Sequence, residues 1–204
     1  FAAESHVDRS IEDPSIFVQT NVVGTQTLLD ASVDFKIKKF VHVSTDEVYG
    51  DLGFGSTDQF TEDSAIKPSS PYSASKAGSD FLCLSYKRTF GLPVIVTRCS
   101  NNYGPFQSVE NFIPLFITKA KNDEKMPLYA NGENIRDWLF VKDHCKAILA
   151  VLDRGRIGEV YNIGADNEQR NIDVATRIVQ LLGKPESLIE SVEDRAGHDE
   201  RYSM

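Results

Sequence analysis

The run FVHVSTDEVYG, residues 40–50, carries an apolar stretch directly into Thr45, Asp46 and Glu47. Phe40, Val41 and Val43 read as a buried strand. Adjacent carboxylates at the end of such a strand carry a desolvation cost unless they are solvated, paired or put to chemical use. Two neighbouring carboxyls with different pKa values can act as general acid and general base in one reaction. An exposed acidic loop is the plain structural alternative. A second constellation lies in PYSASKAGSD, where Tyr72 and Lys76 are four apart at the start of an expected helix and share a face. A phenol ionises near pH ~10 in water. A close ammonium lowers that value, so the pair could supply a base near neutral pH. Helices carry Tyr and Lys at this spacing for many other reasons. The small residues around the pair, Ser73, Ala74, Ser75, Ala77 and Gly78, favour close approach of a ligand or a partner helix.

The elements that must hold these groups follow from periodicity. Phe17, Val18, Val22, Val23, Thr27, Leu28 and Leu29 recur at helical spacing and predict a helix over 15–33. A strand over 39–44 follows, then a polar, glycine-bearing loop over 50–70. A helix over 72–90 ends at Gly91, a good C-terminal stop, and PVIVTRC predicts a strand over 93–99. Long helices between apolar strands imply βαβ units and a parallel sheet with right-handed crossovers. Beyond residue 101 the texture changes. Short strands (126–129, 137–141, 159–163) alternate with helices (110–121, 144–152, 172–182), as in the smaller lobe of a two-lobed α/β enzyme with some segments returning to the main sheet. The cleft between lobes is the default ligand site.

Composition narrows the possible partners. The chain has 204 residues and a net charge of −8, which argues against nucleic acid, whose binders need a basic face. Local arginines can still hold a phosphorylated small ligand. There is no apolar run of about 18 residues to span a membrane and no visible signal peptide. Cys83, Cys99 and Cys145 are widely spaced, without a CxxC or a His/Cys cluster. They read as reduced thiols of a cytoplasmic protein, and no metal site is expected.

The segments VSTDEVYG, SPYSASK, RCSNNYGP, IRDWLFVKDH and YNIGADNE occur in this order, with AAESHVDRS at the start and RAGHDERY near the end. By this set the whole chain resembles the extended short-chain dehydrogenase/reductase superfamily, and within it the nucleotide-sugar 4,6-dehydratases of the dTDP-glucose type. The Tyr-x-x-x-Lys pair alone would indicate only the superfamily. The Thr-Asp-Glu triplet narrows it, because epimerases of this fold usually carry small or hydroxyl residues there. Decarboxylases and GDP-mannose-type dehydratases carry a Ser/Thr-Glu variant.

The resemblance implies an α/β fold: a Rossmann-like, doubly wound parallel sheet lacking its first strands, with a smaller C-terminal α/β substrate lobe. Residues 1–104 would form a partial NAD-binding domain with the catalytic groups, and residues 105–204 mainly the nucleotide-sugar lobe. It implies dehydration of a nucleotide-hexose to the 4-keto-6-deoxy sugar, with NAD as cofactor. Tyr72 would take the 4-hydroxyl proton, Glu47 the C5 proton, and Asp46 would protonate the departing 6-hydroxyl. Thr45 would hold the 4-oxygen, and Lys76 would tune Tyr72. Ala2, Ala3, Ser5, Thr20 and Asn102 join Tyr72 and Lys76 as implied cofactor contacts. His6, Thr45, Asn101, Asn111, Pro127, Tyr129, Arg136, Asn171, Arg195 and His198 are the implied substrate contacts. Arg136 and Arg195 suit the diphosphate, since a guanidinium fork matches phosphate oxygens. Cys99 and Trp138 read as packing residues. Where the family commonly has Glu-Lys-Leu, this chain has Glu110-Asn111-Phe112, so a cation near the phosphates is expected to be missing.

The family's glycine-rich phosphate turn and ribose-gripping acid find no match. GDLGFG, residues 50–55, follows the Thr-Asp-Glu strand and opens no helix. The chain begins at Phe1 and reads as an N-terminally truncated member, with an uncovered sheet edge and weak NAD binding expected. Two alternatives stay open: a UDP-sugar epimerase or decarboxylase, against which Asp46 speaks, and a non-catalytic domain that binds nucleotide-sugar or only self-assembles. A homodimer through a four-helix bundle is implied, built from the Tyr72 helix and the helix near residues 21–33. Phe81, Leu82 and Leu84 suit that interface and suit core packing equally.

Overall fold

The computed structural model describes residues 2–204. After an irregular start come α1 (Val7–Glu12), α2 (Pro14–Phe17) and α3 (Gly24–Asp34), the last two joined by a π-helical stretch, Val18–Val23. The π stretch buries Asn21. The Asn21 side chain accepts from the Glu4 amide at 3.0 Å and donates to the Glu4 carbonyl at 2.9 Å and to Ser75 Oγ at 2.9 Å. It thereby ties the first residues to the helix that carries Tyr72.

That helix, α4 (Pro71–Phe90), is flanked by two strands, β1 (Phe40–Thr45) before it and β2 (Val94–Cys99) after it. The strands pair in parallel, from Phe40 opposite Val94 to Thr45 opposite Cys99. On its other edge β2 pairs in parallel with β6 (Val160–Ile163), giving the order β1-β2-β6. Strand alternation sends Phe40, Val94 and Val96 to one face, against Leu29, Cys83 and Tyr86 of α3 and α4. Val43, Cys99 and Ile163 go to the other face, against Ala147 and Ile148 of α6 (Val141–Arg154). Helices on both faces of a parallel sheet make this the doubly wound α/β arrangement that the sequence led one to expect.

Two further sheets lie at the carboxyl ends of these strands in the sequence. β3 (Asn101–Tyr103) runs parallel to β5 (Ile135–Phe140), which pairs antiparallel with β7 (Glu168–Arg170). β4 (Met126–Tyr129) pairs in parallel with β8 (Ile189–Val192). α5 (Phe112–Lys121) and α7 (Asn171–Leu182) close a separate apolar cluster of Phe116, Ala120, Met126, Leu128, Ala175, Ile178 and Val179. The sequence reading differs from the structure mainly at ends. α6 begins at Val141 rather than 144 and β5 at Ile135 rather than 137, while α1, β3, β7 and β8 are too short to show periodicity. Among the described residues no helix is long and apolar enough to cross a membrane.

Candidate active site

β1 ends in extended backbone at Thr45, and a 3-10 turn, Asp46–Tyr49, follows at once. The Thr45 hydroxyl caps this turn by accepting from the Glu47 amide at 3.3 Å and donates to Asp46 Oδ1 at 3.2 Å. Asp46 is 1% exposed, and its other carboxyl oxygen has no partner and faces into a cleft. Glu47 beside it is half-buried. The turn leaves through Gly50 at φ +85°, where a Cβ would stand 2.2 Å from the Lys67 carbonyl oxygen. Only glycine allows both that backbone region and that approach.

α4 starts with a reciprocal cap. Ser70 Oγ accepts from the Ser73 amide at 3.1 Å, and Ser73 Oγ accepts from the Ser70 amide at 3.0 Å, with Pro71 in the first position. Tyr72 is thus fixed in the first turn, edge-on to Phe17 at 6.3 Å between ring centroids. Thr45, Asp46, Glu47 and Tyr72 line one cleft of about 630 Å³. Two independent segments, a strand end and a helix start, therefore bring the expected acid, base and phenol to a common cavity.

Burial pushes the Asp46 carboxyl up to about 8, with the Glu47 charge adding to it and Arg136 and Thr45 opposing. Burial likewise pushes Glu47 up to about 7, where the charges of Arg136 and Arg195 hold it below its neighbour. The two carboxyls thus titrate near neutrality as a coupled pair, with Asp46 pushed further up than Glu47. The expected lowering of Tyr72 by Lys76 is not found. Burial and then the Glu47 charge raise the phenol well above its usual value. Lys76 itself is buried outside the cleft lining, directs its Nζ to the Val43 carbonyl at 2.8 Å, and is lowered by desolvation.

The same cleft is lined by every residue the sequence assigned to substrate: His6, Asn101, Asn111, Pro127, Tyr129, Arg136, Asn171, Arg195 and His198. Among these lining residues, four carry a buried polar atom without a partner: His6 Nδ1, Asn101 Oδ1, Asn171 Oδ1 and Arg195 Nε. Arg195 also donates to Asp8 at 2.7 Å and lies over the Tyr129 ring. His198 pairs with Asp194 at 2.6 Å, and burial followed by the Arg195 charge lowers its pKa.

Two expected contacts are engaged elsewhere. Arg136 donates to the carbonyls of Ile135, Asp199 and Glu200 and covers the Tyr202 ring. Its fork holds the C-terminal segment, and its charge acts on the carboxyl pair from there. The Asn102 side chain donates to the Ser100 carbonyl at 3.0 Å and accepts from His144 Nδ1 at 2.8 Å, so it braces the loop. Among the expected cofactor contacts Ser5 and Asn102 line the cleft, whereas Ala2, Ala3 and Thr20 do not.

The sequence reading missed Ser100 and Gln107, which present unpaired polar atoms to the cleft. Their proximity to Asn101 in RCSNNYGPFQ was the available signal. Trp138, read as packing, does pack on Phe112 at 5.9 Å, yet its unpaired Nε1 also lies at the cleft. Among the described residues no cluster of His, Cys, Asp and Glu could hold a metal ion. For a nicotinamide group the fit is good at one end. The buried Lys76 ammonium has a single acceptor and donors to spare, and the hydroxyls of Ser44 and Ser100 are unpaired beside Tyr72's cleft.

Comparison with known proteins places the chain among its relatives. The family model for GDP-mannose 4,6 dehydratase matches residues 1–203. A dTDP-glucose 4,6-dehydratase of Xanthomonas campestris is 53% identical over the whole chain, which covers 63% of that relative. The low-salt glycan biosynthesis protein Agl12 of Haloferax volcanii is 52% identical, with 65% of it covered. The chain thus spans less than two thirds of these relatives' length. Among solved structures, DesIV of Streptomyces venezuelae, a dTDP-glucose 4,6-dehydratase with NAD and TYD bound, superposes at a TM-score of 0.97 with 50% identity, all of this chain and 62% of that one being covered. A Thermus thermophilus UDP-glucose 4-epimerase in complex with NAD superposes at 0.91 with 28% identity, covering the whole of this chain and 67% of the epimerase.

Proposed function

Because this chain belongs to the nucleotide-sugar 4,6-dehydratase family, we propose that it carries the acid, the base and the substrate cleft of a dTDP-glucose 4,6-dehydratase. The supporting observation is the pairing of Asp46 and Glu47, neighbours whose surroundings set their pKa values at about 8 and about 7 on one cleft wall. A 4,6-dehydration removes the elements of water across C5–C6 of a hexose whose C4 is oxidised. Glu47 takes the C5 proton, the C5–H electron pair becomes the C5=C6 bond, and the C6–O bond breaks. Asp46 gives its proton to the leaving oxygen, which departs as water. One carboxyl must be basic while its neighbour is acidic, and the higher pKa of Asp46 beside the lower one of Glu47 supports that assignment.

Tyr72 would receive the 4-hydroxyl proton in its phenolate form; burial and the Glu47 charge oppose that form, and the cationic ring of bound NAD+ would favour it. Thr45, hydrogen-bonded within the same turn, would hold the 4-oxygen. NAD, when bound, would supply the hydride acceptor for C4 and the hydride donor for C6, and Glu47 would return its proton to C5 as C6 is reduced. Lys76, Ser44 and Ser100 would hold its nicotinamide end, with Ser5, Ala2, Ala3, Thr20 and Asn102 as further family positions. Arg195 offers a buried, unpaired Nε to the substrate diphosphate, with His198 and His6 beside the same cleft and Tyr129 and Pro127 toward the base. The free thiols Cys83, Cys99 and Cys145 suit a reducing, cytoplasmic setting.

A homodimer belongs to the same reading. Leu28 on α3 and Phe81 on α4 are 57% and 55% exposed on helices that touch each other. Leu82 and Leu84 pack against the core instead. The decisive experiment incubates the purified chain with dTDP-glucose, with and without added NAD+, and assays for the 4-keto-6-deoxy product by its absorbance in alkali. A 4-epimer, or no change in the sugar under either condition, overturns the reading.

A further inference from the structure

A buried ionic network behind the cleft takes no part in the chemistry above. Asp80 lies on α4, one turn past Lys76 and two past Tyr72, and is 1% exposed. Its Oδ2 accepts from Arg98 Nε at 3.0 Å, and its Oδ1 lies 3.3 Å from His42 Nε2. Arg98, on β2 and 3% exposed, donates from Nη1 to the Tyr49 hydroxyl at 2.8 Å. That hydroxyl in turn donates to Asn162 on β6 at 2.7 Å. Tyr49 is the last residue of the turn that holds Asp46 and Glu47. His42 is lowered by burial and also meets Ser79 Oγ at 3.1 Å. The full charge in direct contact with Asp80 is therefore that of Arg98.

A buried ion pair is weak evidence for stability, because desolvation offsets its attraction. What this one provides is geometry. A guanidinium is a rigid planar fork with fixed donor directions, and here one edge grips the Tyr72 helix while the other grips the acid–base turn. Resting on the dehydratase reading for its chemistry, we propose that Arg98, acting through Asp80 and Tyr49, sets the position of the Asp46–Glu47 turn relative to Tyr72. All three lie outside the cleft lining, so they are positioning residues.

The test is Tyr49→Phe, which removes one hydroxyl and keeps the ring stacked on Phe60 at 4.9 Å between centroids. Amide hydrogen exchange over residues 46–50 should rise by about tenfold or more while that of α4 stays as in the parent chain. For dTDP-glucose, kcat should fall by about tenfold or more with KM within about twofold, the mark of an interaction needed only in the transition state. Arg98→Lys keeps the charge facing Asp80 without a fork that spans to Tyr49, and should show the same exchange pattern. Unchanged exchange over 46–50 in both variants overturns the brace, whether or not the chain turns over sugar. Raised exchange with unaltered kcat in an active chain overturns it as well. A parent chain inert toward the sugar defeats the dehydratase reading instead, and the exchange result then decides the brace alone.

Discussion

Asp46 has one carboxyl oxygen held by Thr45 and the other unpaired in the cleft, whereas Glu47 is half-buried within the field of Arg136 and Arg195. Two predictions follow at this scale. Catalysis by an ionised Glu47 and a protonated Asp46 gives a bell-shaped pH profile of kcat/KM. It should rise through about 7 and fall through about 8, the two limbs belonging to the coupled pair. Glu47→Gln should abolish turnover without loss of fold, and a rate plateau extending to pH 10 would contradict the assignment. The second prediction concerns stability. Asp46 has a folded pKa raised above its unfolded value, so the native chain holds a proton that the unfolded chain releases between about pH 4 and about pH 8. Stability from this site is therefore complete at low pH and declines as pH rises through that window. Asp46→Asn removes the dependence: its melting temperature should exceed that of the parent at pH 8 and match it near pH 4, while elimination stops. Thr45, Asp46, Glu47 and Tyr72 were legible in the sequence because adjacency in the chain and the first turn of a helix are local facts. The occupation of Arg136 was not legible, since its acceptors lie at Asp199 and Glu200, brought to it only by the closed fold.

At the scale of elements, Gly50 terminates the acid–base turn in a backbone region closed to side chains, pressed against Lys67. Gly50→Ala should destabilise the chain by about 1–3 kcal/mol, the range of backbone strain at such positions, and should lower kcat with it because the turn must shift. Chemical denaturation and a kinetic assay on one preparation check both. The long elements were readable. β2 carries a continuous apolar run, and α4 has a serine-proline entry and a glycine exit in the left-handed region at φ +69°. The four-residue strands β4 and β6 were anticipated, while β3 and β7, of three residues, and β8, whose IESV run has polar residues at its two centre positions, emerge only from their partners. The π stretch was invisible for a different reason. Phe17, Val18, Val22 and Val23 fit helical spacing whether or not one turn is widened.

At the scale of the whole molecule, the net charge is −8, yet Arg136 and Arg195 are among the residues lining the cleft, Arg136 with its fork on the C-terminal segment and Arg195 paired with Asp8. Under the proposed function, selectivity for a phosphorylated ligand would arise from these local cations against an acidic whole. The exposed ring of Phe81 on α4 supplies the test of assembly. Phe81→Glu should convert a dimer to a monomer in sedimentation velocity with little change in the melting temperature of the separated chain. A parent chain that sediments as a monomer would dismiss the four-helix interface. The Asn21 carboxamide has a wider consequence. It meets both the amide and the carbonyl of Glu4, as an adjoining strand would, and anchors to Ser75 on the far side. Among the described residues Ser5 and His6, which line one rim of the cleft, belong to no strand; the His6 carbonyl accepts from the Ser10 amide at 3.1 Å, and Asn21 holds the residue before them. What ties this rim to α4 therefore includes a contact outside the cleft lining, the Asn21 carboxamide held between Glu4 and Ser75.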